Sequence, residues 1–414
     1  MLLNDPMFPT QHAASHGHTY PPTSAIERFY QISKMPYLNH AGTSWPKPPE
    51  VIHAVETAIH SCPDQWPEQF EDAHAAICRF FGIGSADQLL ITPGCTSSLA
   101  TAIANVPFSP GDRVLTSCWE HHALHAPVSK LAKRGVHVET VRSNNACPFD
   151  LNHLEEYLRV GNVKLVALTA ACNVTGDLLP YQEAINLARR YGSMTLIDAA
   201  QIAGWYDLDL NDLNADLVAF GGHKAMQTPW GIGGLFVNSD VPLECVSSQC
   251  ELPRRSISNP NDNKRFSTKL EYCDVGSVDQ FSLAGLSAAC RWLSAPTRAG
   301  RLSIARRQTT RLRMAIEKHS ITRCYGHLDE TARLPSIAFS VAGHSSGTIS
   351  KVLKQHDVIT SGGFQCSTQS HQSLGTEENG VVRISVGIDQ SEEDIDRAIE
   401  GIDAALKEVE RQPR

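Results

Sequence analysis

The sequence predicts an α/β protein: a large domain built on a mostly parallel seven-stranded sheet, followed by a smaller C-terminal α/β domain. Three observations carry that expectation. Between about residues 88 and 238, seven short apolar runs alternate with helix-like stretches. Several runs, such as LVALTAA, are apolar on both faces, which suits parallel strands covered by helices on each side. After residue 238 the rhythm stops, and a second helix-and-strand pattern begins past residue 280.

In chain order the strand candidates are QLLITPG (88–94), DRVLTS (112–117), HVETVR (137–142), LVALTAA (165–171), MTLIDAA (194–200), DLVAFGG (216–222) and GIGGLFV (231–237). YQEAINLARRY (181–191) has helical spacing, with Gly192 as its C-terminal stop. Residues 246–270 are rich in Pro, Asn, Ser and charge and read as a long loop. A helical stretch over 281–318 leads to strands near 335–342, 357–361 and 381–387 and a closing helix from Glu392 to Arg411. The expected division is a tail and small-domain segment at 1–35, a large domain at 36–285 and a small domain at 286–414. No repeat of 20 to 50 residues is present.

Composition narrows the function classes. With 414 residues the chain has room for two to three units at roughly 150 residues each, and 42% hydrophobic content supplies their cores. Lys and Arg number 36 against 44 Asp and Glu, a formal charge of −8 that argues against a nucleic-acid partner. No apolar run reaches the roughly 18 to 20 residues that span a bilayer. Residues 1–24 are polar and lack the apolar core of a secretion signal, so a cytoplasmic protein is expected. The 12 cysteines are scattered and form no C-x-x-C, which suits reduced thiols rather than disulfides or zinc, and no metal is expected.

The chemistry concentrates in IDAAQIAG (197–204) and FGGHKAMQTPWGIGG (220–234). Asp198 ends a buried strand, where an unpaired carboxylate costs several kcal/mol and calls for a cation. A protonated pyridine nitrogen would be one; at an effective dielectric near 20, a pair about 4 Å apart gains on the order of 4 kcal/mol. Lys224 ends the next strand, and parallel strand ends open onto one crevice. This joint pattern, D-x-x-Q then H-K then a Gly-rich turn, resembles the class V family of fold-type I pyridoxal 5'-phosphate (PLP) enzymes, and within it the cysteine desulfurases. The resemblance covers about residues 36–405.

It implies that Lys224 holds PLP covalently, Asp198 pairs with its ring nitrogen and Gln201 with its phenolic oxygen. His121, in CWEHHALH, would stack on the ring and relay a proton, and Asn173, in ACNVTG, would serve both phenolic oxygen and substrate carboxylate. PGCTSS (93–98) would bring Cys95 and Thr96 to the phosphate at a helix N-terminus, with His223 beside them. Ser277, in DVGSVD, would reach the phosphate of a neighbouring subunit, implying a homodimer. His121 and His125 could instead be read as a metal pair, but Glu120 has the wrong spacing for H-E-x-x-H.

SGGFQCSTQSHQSLGTEENGVVRISVG (361–387) completes the resemblance. A desulfurase needs a mobile thiolate, and the resemblance puts it at Cys366 with Gly362 and Gly363 supplying flexibility. A thiol near pKa 8.5 is only a few per cent thiolate at neutral pH. Lowering it by about 1.5 units takes roughly 2 kcal/mol, which a helix N-terminus or a histidine can supply. His371 could help the thiol or be structural. Arg383 would grip the substrate carboxylate, and LNHAGTSWPKPPEV (38–51) would bring His40 and Ala41 to the substrate.

The implied reaction converts L-cysteine to L-alanine, or acts on L-selenocysteine, and hands sulfur to an acceptor protein, as in iron-sulfur cluster assembly. Four positions differ from the family: Gly221 replaces Ser or Thr, Ser361 replaces Arg, His40 replaces Asn, and segment 60–74 is short. Two alternatives stay open: another class V reaction (transamination, epimerisation or C–S lysis) that does not use Cys366, or a PLP-binding protein with little turnover.

Overall fold

The computed structural model describes residues 35–143, 148–239, 241 and 278–411. The expected tail at 1–34, the loop at 246–270 and Ser277 lie outside the described residues.

All seven expected strands form one sheet. They are β1 (Leu89–Thr92), β2 (Arg113–Thr116), β3 (His137–Thr140), β4 (Val163–Thr169), β5 (Met194–Asp198), β6 (Leu217–Gly221) and β7 (Gly233–Val237), in the order β1-β7-β6-β5-β4-β2-β3. Only β7 runs against the others, pairing antiparallel with both β1 and β6. Along β4, Leu165 and Ala167 enter one apolar cluster while Val166 and Leu168 enter another. That period-two alternation into two cores shows why both faces had to be apolar.

Six helices accompany these strands: α1 (Pro49–His60), α2 (Trp66–Phe80), α3 (Cys95–Asn105), α4 (His122–Lys130), α5 (Leu151–Val160) and α6 (Tyr181–Arg190). On one face, α3 brings Leu99, Ala102 and Ile103 to Leu235 and Leu217. On the other, Ala73 and Ile77 of α2 join the cluster of Phe220 and Phe236. Gly233 matters to the turn before α3: a Cβ there would stand 2.8 Å from Gly94 Cα and 2.4 Å from Phe220 O. The bare backbone lets that turn settle directly on the sheet.

The expected helix over 281–318 is two helices, α7 (Gln280–Leu293) and α8 (Arg301–Glu317), broken where Pro296 and Gly300, at φ +75°, interrupt the pattern. Beyond them lie β8 (Thr322–Tyr325), β9 (Ser336–Val341), α9 (Ser346–Gln355), β10 (Ser361–Gly363), α10 (Thr368–Leu374), β11 (Val381–Ser385) and α11 (Glu392–Arg411). Their strands form an antiparallel sheet in the order β10-β11-β9-β8. Strand β8 escapes sequence reading because TRCY is a partly exposed edge strand without an apolar run. The strand expected at 357–361 starts later, at Ser361, and Ile359 makes an isolated bridge to Tyr37 instead. A second bridge, Asn39 to Ser385, ties residues 37–39 to β11.

Beside the flexibility expected of Gly362 and Gly363, the structure shows a packing role for Gly362. Both lie in β10, and a Cβ on Gly362 would stand 2.3 Å from Ser346 O. Gly362 is small because α9 passes against it.

Candidate active site

Register sets the site. Thr169 lies opposite Asp198, and Asp198 opposite Ala219, so β4, β5 and β6 end side by side. Strand β1 points the same way, and its end feeds Gly94 at φ +152° and then the first turn of α3. These ends open into a cavity of about 470 Å³ whose far wall is built from Gln365, Cys366 and Arg383.

Among the residues singled out from sequence, Ala41, Cys95 and Thr96 line this cavity, as do His121, Asn173, Asp198, Gln201, His223 and Lys224. His40 does not. It lines an adjoining cavity of about 10 Å³, the size of one water, which shares Ala41, Gln201 and Lys224 as walls. Its ring sits where a Cβ on Gly387 would be 2.4 Å from Cε1, and its Nε2 contacts Tyr37 O at 3.1 Å. The packing of residues 37–40 on β11 carries His40 away from the larger cavity.

Buried Asp198 accepts the Ala200 N–H at 2.9 Å and the Cys95 thiol at 3.3 Å, both on Oδ1. Burial depresses the Lys224 pKa, opposed by the charge of Asp198. His121 is the N-cap of α4, its Nδ1 accepting the Ala123 N–H at 3.1 Å, so the neutral ring carries its proton on Nε2. Burial and then Lys224 pull the His121 pKa down to about 4. Burial and the same lysine hold His223 at about 4, and its buried Nδ1 has no partner.

Arg383 is 4% exposed, and its partners are neutral acceptors. Nη1 donates to Asn173 O at 2.8 Å and Nη2 to Asn39 Oδ1 at 3.1 Å, while buried Nε has no partner among the described residues. Burial lowers its pKa to about 10, so it stays charged at neutral pH. The Oδ1 of Asn173 is likewise buried and unpaired. A buried guanidinium held only by neutral oxygens seeks an anion, and Arg383 opens on the cavity.

Cys366 is exposed and has φ +56°, directly after Gln365 at φ +49°. Two successive non-glycine residues in the left-handed region cost of order 1–3 kcal/mol each unless their surroundings hold them. Contacts from the opposite wall do so. Asn173 Nδ2 donates to Gln365 O at 2.6 Å, His122 N to Cys366 O at 2.8 Å, and Ser367 Oγ to Glu120 O at 2.9 Å. The Gln365 and Ser361 side chains also bond each other, Ser361 Oγ to Gln365 Oε1 at 3.2 Å. His371 is buried beneath this turn, with Nδ1 to Thr376 Oγ1 at 2.7 Å and its ring edge against Phe364. Its Nε2 has no partner among the described residues, so both alternatives left open for it stand.

Sequence reading missed Glu120, Gln365, Asn39 and Trp230. Glu120 is 1% exposed and accepts from Ser117 Oγ and, at 2.7 Å, from Thr169 N; burial pushes its pKa up to about 8. Its signal was the stretch CWEHH itself, an acidic residue between the end of β2 and the start of α4. Trp230 lines the cavity while remaining 69% exposed, and nothing in its local pattern marked it. His125 Nε2 pairs with Ser129 Oγ at 3.2 Å, and His121 Nδ1 is occupied as the cap of α4. Among the described residues no helix is long and apolar enough to cross a membrane.

Comparison with known proteins adds to this geometry. The family model described as Aminotransferase class-V matches residues 37–398. A probable cysteine desulfurase of Vibrio cholerae is 26% identical, over 92% of this chain and 96% of the relative. A probable cysteine desulfurase of Chlamydia muridarum is 28% identical, over 90% of this chain and 94% of the relative. Among solved structures, the apo cysteine desulfurase of Thermococcus onnurineus superimposes with a TM-score of 0.80 at 22% identity, covering 91% of this chain and 96% of that one. A cysteine desulfurase of Escherichia coli in an S-sulfonic acid form gives 0.78 at 23% identity, covering 94% and 99%.

Proposed function

Because this chain belongs to the class V aminotransferase family, whose members are PLP-dependent, we propose that it is a cysteine desulfurase converting L-cysteine to L-alanine with the sulfur captured on Cys366. The observation that carries this reading is one cavity bounded by Asp198 and Lys224 on one side and by exposed Cys366 and buried Arg383 on the other. It gives a cofactor wall and a thiol wall to the same space.

The donor set fits PLP. The start of α3 offers the amides of Cys95 and Thr96 to a phosphate, and the unpartnered His223 Nδ1 lies on the same side. Asp198 supplies the carboxylate for a ring nitrogen, Lys224 the amine, and Gln201 an amide near the phenolic oxygen. When bound, PLP supplies an electron sink for the pair released at the substrate Cα.

This chain's residues do the rest. Arg383 takes the substrate carboxylate in a bidentate fork, with Asn173 beside it in the same cavity lining. Lys224, its basicity lowered by burial, accepts and returns the Cα proton. His121, which lines the same cavity, would lie beside the cofactor ring with Nε2–H as its free donor. It enters proton transfer through that atom, because protonating Nδ1 would break its cap on α4. At Cys366, thiolate Sγ forms an S–S bond to the substrate sulfur while the substrate Cβ–S bond breaks. The electron pair stays with the carbon fragment, which leaves as alanine after protonation. An acceptor thiol or reductant then removes the sulfur, and selenocysteine fits the same site.

A homodimer in the cytoplasm, with Ser277 reaching the partner's cofactor and a sulfur-acceptor protein at the Cys366 side, completes this reading. So does the division into domains at 36–285 and 286–414. The test is purified protein with PLP and L-cysteine under reducing conditions, with alanine and sulfide quantified. Equal amounts of both, lost in Lys224→Ala and Cys366→Ala, support it. Alanine or another product that persists in Cys366→Ala would replace it with a class V reaction not using that thiol.

A further inference from the structure

We propose that the side chain of Cys95 positions Asp198, its S–H fixing one carboxylate oxygen so that the other is presented to the ring nitrogen of the cofactor; this rests on reading the cavity as a PLP site. The expected part for Cys95 was its backbone amide at the start of α3. Its side chain does something separate.

Oδ1 of Asp198 takes two donors from two directions, the Ala200 N–H at 2.9 Å along its own chain and the Cys95 thiol at 3.3 Å from α3. Oδ2 accepts no hydrogen bond among the described residues, and Asp198 lines the cavity. A carboxylate held by one oxygen at the end of a strand could still turn about its last bond; a second donor from another element stops that. The thiol is suited to donate rather than ionise. Burial and the neighbouring carboxylate push its pKa well above the usual thiol range, so it remains S–H. Gly221 allows the approach. A Cβ at residue 221 would stand 3.4 Å from Cys95 Cβ, an ordinary contact, so the first turn of α3 packs directly on the end of β6 and a larger residue at 221 would crowd it only beyond Cβ.

The consequence is electrostatic. Removing a donor from Oδ1 makes the Asp198 carboxylate a stronger base and a stronger local negative charge. Both effects favour the protonated form of the cofactor's link to Lys224, so its titration moves to higher pH.

The experiment loads wild-type protein, Cys95→Ser and Cys95→Ala with PLP and follows the visible absorbance of the bound cofactor against pH. The expected result is a midpoint raised by about 0.5 to 1 pH unit in Cys95→Ala and nearly unchanged in Cys95→Ser, whose hydroxyl is again a donor. Equal midpoints in all three proteins, or equal shifts in both variants, would overturn the proposal. A wild-type protein that gives no visible band with PLP would instead remove the cofactor reading itself, so the two failures are told apart. The wild type also carries a readout independent of whether Cys95→Ala folds. The infrared S–H stretch lost in Cys95→Ser should lie at the hydrogen-bonded, lower-frequency end of the thiol band and move up in Asp198→Asn. A free-thiol frequency for Cys95 would equally overturn the proposal.

Discussion

The two walls of the cavity are built by different means. On the cofactor side, Asp198, Thr169 and Gly221 stand at the ends of neighbouring strands, and their spacing follows from sheet register. On the thiol side, Gln365 and Cys366 leave β10 in left-handed conformations, their carbonyls held by Asn173 Nδ2 and His122 N of the other wall, while Ser367 Oγ donates to Glu120 O. The first wall is rigid because of the backbone that carries it. The second is held in part by its bonds to the first, so small changes at the contact should damage sulfur transfer and leave cofactor binding intact.

The largest separation comes from the reacting side chains. Lys224→Ala should remove both the cofactor's absorbance and turnover, whereas Cys366→Ala should keep the absorbance and reduce sulfide release by about a thousandfold or more. Absorbance lost in both variants would mean that the walls do not act separately.

Arg383 comes next. Arg383→Lys keeps the charge but loses the fork, and KM for L-cysteine should rise roughly 10- to 100-fold with a smaller change in kcat, measured by alanine formation. An unchanged KM would detach Arg383 from the substrate.

The contact between the walls is tested by Ser367→Ala, which removes the bond to Glu120 O. At about 1 kcal/mol for such a bond, sulfur transfer should fall about fivefold with PLP affinity unaltered. Gly221→Ser acts on the other wall alone. The site accommodates a Cβ at ordinary contact distances, and the added hydroxyl should tighten PLP about fivefold, read by titration of the apo protein.

A separate effect, on stability rather than turnover, is one of pH. Glu120 has a folded pKa of about 8, above its ordinary value of 4.5, so the folded protein keeps a proton that the unfolded chain releases. Stability from this group is complete below pH 4.5 and declines as pH rises toward 8. Glu120→Gln should flatten that stretch of the profile, measured as denaturant midpoint against pH. A slope unchanged in the variant would assign it to other groups.

The same contrast explains what the sequence disclosed. Asp198 and Lys224 were legible only together, as D-x-x-Q then H-K then a Gly-rich turn, and the turn at Gly94 by resemblance; Lys224, expected to end a strand, lies three residues beyond the end of β6 at Gly221. The segment around Cys366 was legible as a motif but not as a structure. Gly362 read as looseness, yet it is the close approach of α9 that requires it. His40 was expected at the substrate, and only the bridges of residues 37–39 to Ile359 and Ser385 turn it aside. Glu120 and Asn39 act through partners far away in sequence, Thr169 and Arg383, and no local pattern records such pairings.

The most direct test of the whole account is a single turnover on PLP-loaded protein without reductant, with the Cys366 peptide examined by mass spectrometry beside the alanine count. The account predicts one alanine per active site and one additional sulfur atom on Cys366. Alanine formed while Cys366 remains an unmodified thiol would contradict it.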